Sequence, residues 1–182
     1  AFGGRNNDDT PGEVYIILGS VTPVPTQYLT DINFVMEGIP IRFTGEYWEP
    51  NGSEDIKLVE LILEDKSGSG TGFSVRYDRL TNEMFLYDDD EDTWLSPCTP
   101  GSELQITNSV VMLDCRWSKV ASDGQHTMRA GWHITWITPP NLDTVYNIYL
   151  RAVDLSENDS QPVDFGIWPI PFPPTYLPFL VK

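Results

Sequence analysis

Positive charge is what this chain has least of. Lys and Arg together number 11 against 27 Asp and Glu, a formal net charge of −16. A surface so acidic is repelled by nucleic-acid phosphates and by anionic membranes, which excludes nucleic acid as a partner. It also makes copies of the chain repel one another. Self-association must then rest on specific buried contacts or on neutralising cations, and is expected to respond to salt or calcium. Long apolar runs are missing as well. A membrane helix needs about 20 predominantly apolar residues, and the apolar C-terminal stretch is interrupted by Pro169, Pro171, Pro173, Pro174 and Pro178. No membrane insertion is expected.

Helical stripes, internal repeats and catalytic motifs are absent too. No long segment carries the spacing of an amphipathic helix, which argues against an α/β fold with a nucleotide crevice. The lack of a repeat argues against a solenoid or propeller. The only histidines, His126 and His133, stand in no nucleophile-elbow or metalloprotease motif. No pairing of carboxylates, or of nucleophile and base, stands out, so the expectation is a protein that is not an enzyme and needs no cofactor.

Cysteine is nearly absent. Cys98 and Cys115, with sixteen residues between them, lack the further ligands of a zinc site, and a disulfide is the better reading. A loop of this size closed by a disulfide gains on the order of 3 kcal/mol. The alternative is two reduced, buried thiols in a cytosolic protein. A start at Ala1 without methionine leads to the expectation of a removed leader peptide and an extracellular or cell-surface location.

What the chain does have is alternation. With 182 residues, 40% of them hydrophobic, it can fill one core. Met128, Ala130, Trp132, Ile134 and Trp136 share one strand face, opposite Thr127, Arg129, His133 and Thr135. The same period of two runs through Val59, Leu61 and Leu63, through Phe73, Val75 and Tyr77, through Val111, Leu113, Cys115 and Trp117, and through Tyr146, Ile148, Leu150 and Ala152. Turn clusters such as Pro50-Asn-Gly, Ser67-Gly-Ser-Gly and Ser122-Asp-Gly separate these runs. The pattern predicts an all-β, two-sheet antiparallel sandwich.

Three kinds of site suggest themselves. Asp88, Asp90 and Asp92, in an unbroken run of carboxylates, offer hard oxygen ligands for calcium, although the run lacks the glycine and terminal glutamate of an EF-hand and reads equally as a solvated turn. Asn51-Gly-Ser and Asn158-Asp-Ser fit the glycosylation sequon, so glycans are a possible attachment. Trp48, Trp94 and Trp168, near strand ends, could stack on sugar rings if exposed, which sets a carbohydrate-binding or adhesion module beside a structural role.

The segments SVTPVPTQYLTDINFVM, WEPNGSEDIKLVELIL, FSVRYDRLTNEMFLYDDDEDTWL, ITNSVVMLD, DGQHTMRAGWHITW, NIYLRAVDLSENDS and GIW, in that order and spacing, resemble an immunoglobulin-like domain of large secreted and cell-surface bacterial proteins. The resemblance runs from about residue 20 to 170. It implies an immunoglobulin-like sandwich without catalytic activity. Members of that family often carry a cysteine soon after the Asn-Ser pair, where this chain has Val110 and Val111, so the resemblance does not account for Cys98 and Cys115. It divides the chain into an extension at 1–12, a sandwich at 13–170 and an apolar tail at 171–182.

The extra ends suggest a homopolymer, an extracellular filament in which terminal segments contact or complete the next protomer's sheet. Two donors are open. Val14, Ile16 and Leu18 lie in the strongest β-former of the chain. Phe172, Tyr176, Leu177, Phe179, Leu180 and Val181 form an apolar arm in which Pro178 prevents a full ladder, and this tail is the favoured contact. A tail folded over its own sandwich is the alternative.

Overall fold

The computed structural model describes residues 22–30, 38–66, 71–88, 90–138 and 144–169, with backbone alone at 29–30 and 168–169. Within them lie twelve strands: β1 (Val24–Thr30), β2 (Pro40–Trp48), β3 (Ile56–Asp65), β4 (Phe73–Asp78), β5 (Glu83–Asp88), β6 (Thr93–Trp94), β7 (Gln105–Thr107), β8 (Val111–Asp114), β9 (Lys119–Ser122), β10 (Thr127–Trp136), β11 (Val145–Asp154) and β12 (Val163–Pro169). They form two antiparallel sheets. One runs β1-β2-β10-β8-β7 with β9 also paired to β10, and the other runs β12-β11-β3-β4-β5-β6. Lettered along the chain, the first has the order A-B-E-D and the second G-F-C-C′-C″, the arrangement of a variable-type immunoglobulin-like sandwich.

Alternation decides which side chains meet between the sheets. Ile41, Phe43, Tyr47, Ala130, Trp132, Ile134 and Trp136 from the first sheet are buried against Val59, Leu61, Leu63, Phe73, Val75, Tyr146, Ile148 and Leu150 from the second. Phe43, Phe73 and Trp136 pack edge to face, with centroids 5.3 to 5.8 Å apart, a geometry that suits ring quadrupoles. The Tyr47 hydroxyl crosses between the sheets to donate to the Glu60 carbonyl at 2.9 Å. Its ring lies so close to Gly45 that a Cβ there would stand 2.4 Å from the hydroxyl.

Where the alternation fails, a turn intervenes. The expected run Val111, Leu113, Cys115, Trp117 stops at Asp114, and β10 pairs first with β9 and then with β8. Ser118 fills the break. Its hydroxyl donates to the Asp114 carbonyl at 2.7 Å and accepts the His133 N–H at 2.9 Å. Trp117 is thereby turned outward, 50% exposed, which corrects its placement on a buried strand face.

Cys98 and Cys115 form a disulfide with Cα atoms 6.3 Å apart. Cys98 bridges to Met84 of β5, and Cys115 follows β8, so the bond joins the two sheets near their β5 and β8 edge. In antibody domains the bridge joins strands B and F, and a tryptophan lies on strand C. Here the C position, β3, carries Leu61 and the buried tryptophans lie on β10.

The registers also fix two poles. At one, the 49–55 turn docks on the β9–β10 turn through Glu49 N–H to His126 carbonyl at 2.9 Å and Ser53 N–H to Gln125 carbonyl at 2.8 Å. At the other, the Lys66 N–H reaches the Val145 carbonyl at 2.9 Å. Val24 pairs with Trp48, and Pro169 pairs with Val145. The chain therefore enters β1 at the first pole and leaves β12 at the second.

Candidate interaction surface

The outer face of the second sheet carries a charged and aromatic row set by register alone. Arg151 on β11 lies opposite Glu60 on β3, which lies opposite Arg76 on β4, which lies opposite Phe85 on β5. Glu60 is only 5% exposed, and a buried carboxylate needs a partner. Arg151 supplies it, with Nη1 at 2.8 Å, and turns its other edge to Asp159 in a two-pronged contact at 3.0 and 2.7 Å. The short bridge between Val153 and Asp159 brings that aspartate into place. Hydrogen bonding to Asp159 raises the Arg151 pKa above its ordinary range, and the same bond lowers that of Asp159.

Arg76 is held differently. Its guanidinium lies 4.6 Å from the Phe85 ring and 4.1 Å from the Trp94 ring, a cation–π contact of about 0.5–2 kcal/mol. It makes no ion pair among the described residues, its buried Nε has no hydrogen-bond partner, and burial lowers its pKa. Trp94 packs edge to face on Phe85 and Tyr87. Half-buried Ile62 and Tyr149 adjoin the row, and Ile167 on β12 stands 59% exposed. Arg, Trp, Tyr and Phe are the residues that anchor protein interfaces. Sequence periodicity could place Glu60, Arg76 and Arg151 on outward positions, but only register reveals that they align.

The carboxylate run sits in the turn from β5 to β6. Asp88 Oδ1 accepts the Asp90 N–H at 3.1 Å, and Asp92 Oδ1 accepts the Tyr87 hydroxyl. These carboxylates stabilise the turn, and among the described residues no three acidic, histidine or cysteine groups converge as a metal site. Asn51 and Asn158 are also engaged. Asn51 Nδ2 donates to Asp55 at 3.2 Å, and Asn158 Nδ2 donates to the fully buried Asp154 at 2.6 Å. Ser53, third in the first sequon, is buried with its hydroxyl 2.6 Å from that of Ser122. Val14, Ile16, Leu18, Phe172, Tyr176, Leu177, Phe179, Leu180 and Val181 lie outside the described residues, as do 1–12 and 171–182.

The aromatics proposed for sugar stacking do not form a row among the described residues. Trp48 is 39% exposed and tilted against His126, Trp94 is covered by Arg76, and exposed Trp117 sits in the turn after β8. The side chain of Trp168 is outside the described residues. At the first pole, periodicity gave no sign of Glu49. It is fully buried, its Oε1 accepts the Asn51 N–H at 3.0 Å, and its Oε2 has no hydrogen-bond partner among the described residues. Burial raises its pKa, with Asp55 and Asp154 adding to the shift.

Comparison with protein-family models, curated proteins and solved structures finds no match for the chain.

Proposed function

We propose that the chain is a non-enzymatic structural subunit of an extracellular filament, polymerising head to tail through terminal segments that pack on or complete a neighbour's sheet. The observation that carries this reading is the placement of the strand ends. β1 begins at the pole of the 49–55 turn and β12 ends at the opposite pole. Segments joined to the two poles serve a heterologous contact, which repeats along an axis unless its rotation closes a ring.

Two further features support it. The sandwich already holds its own G-position strand, β12, so a neighbour's segment would add at an edge and not fill a gap in the core. The inter-sheet disulfide suits an oxidising compartment. At a net charge of −16, association by non-specific attraction is disfavoured, and a dedicated joint is what remains.

Light scattering of the purified full-length chain beside a version ending at Ile170 tests the reading. Large polymers from the first are expected; monomers from the second alone would assign the joint to residues 171–182, and polymers from both would leave it to the N-terminal segment. Monomers from both at the same concentration would overturn it.

A further inference from the structure

We infer that the free edge of β12 receives residues Val14–Leu18 of a second copy of the chain, added as a strand parallel to β12. This rests on the head-to-tail reading and names its joint. The sheets end in five edges among the described residues: β1, β7 and the four-residue β9, and β12 and β6. β6 has two residues and β7 three, while β1 carries Pro25 and a register shift beside it. Short strands, prolines and bulges are the usual protections of an edge. β12 has seven residues with no proline before Pro169, and its exposed Ile167 offers an apolar contact beside the unpaired backbone. β12 is bulged as well, with Phe165 and Gly166 opposite the single residue Ile148 and Gly166 at a φ of 98°, but residues 163–164 and 167–169 keep their register on either side.

The occupant is argued from the chain that leads into β1. Val14-Tyr-Ile-Ile-Leu18 holds β-branched, aromatic and aliphatic residues without charge or proline, a composition that favours strands. Pro23 and Pro25 bias Thr22 and Val24 toward extended backbone, which disfavours a tight reversal immediately before β1. Five residues lie between Leu18 and Val24, a reach of about 20 Å. That reach is long enough for Val14–Leu18 of one copy to meet a neighbour beyond the pole. In a head-to-tail stack the neighbour met there offers the pole where β12 ends. Both chains then run the same way, which makes the added pairing parallel.

Full-length Ile16→Cys and Ile167→Cys chains, mixed and treated with a short thiol-to-thiol linker, test the joint, alongside one chain carrying both substitutions. Cross-linked sites are mapped by mass spectrometry, and polymer content is followed by light scattering. A 16–167 link between different chains, and a ladder of multimers from the double variant, are expected. A link confined within single chains would overturn the inference, placing the segment on its own sandwich. Polymers without a 16–167 link would overturn it while leaving the filament reading intact. Neither polymer nor link would overturn both.

Discussion

Glu49 closes β2 with a carboxyl that has lost water and, among the described residues, gained only one hydrogen bond. Burial raises its pKa, so protonation favours the folded state. The sign follows from that direction: its favourable neutral form is complete below the ordinary glutamate range and is lost as pH rises through the raised value. Glu49→Gln, uncharged at every pH, is therefore expected to melt higher than the parent at neutral pH. The gap should close as pH falls toward about 4, where the parent side chain is also neutral. Melting curves across that range check it, and a gap independent of pH would contradict the assignment. Single residues also mark how far sequence could be read. Trp132 and Trp136 were legible as core because alternation reports a face. Glu49 and Glu60 were not, because burial of a charge depends on what the neighbouring strand or turn places against it.

The longest strands, β3, β10 and β11, were legible from period alone, since ten residues each carry several repeats of the pattern. The break between β8 and β9 was not. It depends on Ser118 holding the Asp114 carbonyl and the His133 N–H, a local exchange of backbone partners that leaves no mark on the hydrophobic pattern. The Cys98–Cys115 pair was expected, but its place between the sheets, near short β6 and β7, was not. Those elements bring few residues to the core, and a covalent tie compensates by restricting the unfolded chain. Replacing both cysteines by serine is expected to cost about 3 kcal/mol, roughly 10 °C in melting temperature for a chain of this length. Thermal melts of the double variant and of the reduced parent measure it. Unchanged melting would mean that the β5 and β8 edge holds without the bridge.

Across the whole molecule, the order of strands sets what the surface offers. The A-B-E-D and G-F-C-C′-C″ arrangement leaves the chain entering and leaving at opposite poles, with the Arg151, Glu60 and Arg76 row between them on one broad face. The sandwich itself was legible from alternation and turn spacing. The poles were not, because they require knowing how each strand is paired and in which direction. A net charge of −16 makes every like contact between copies unfavourable unless a specific joint outweighs it. The ten-residue strands β10 and β11 make the sandwich about 35 Å long, or about 40 Å with its turns. Electron microscopy of the purified full-length chain is the most direct measurement. Unbranched filaments with an axial repeat of about 40 Å, each subunit oriented alike, are the expected result. Separate particles the size of one sandwich, or pairs related by a two-fold axis, would contradict head-to-tail assembly.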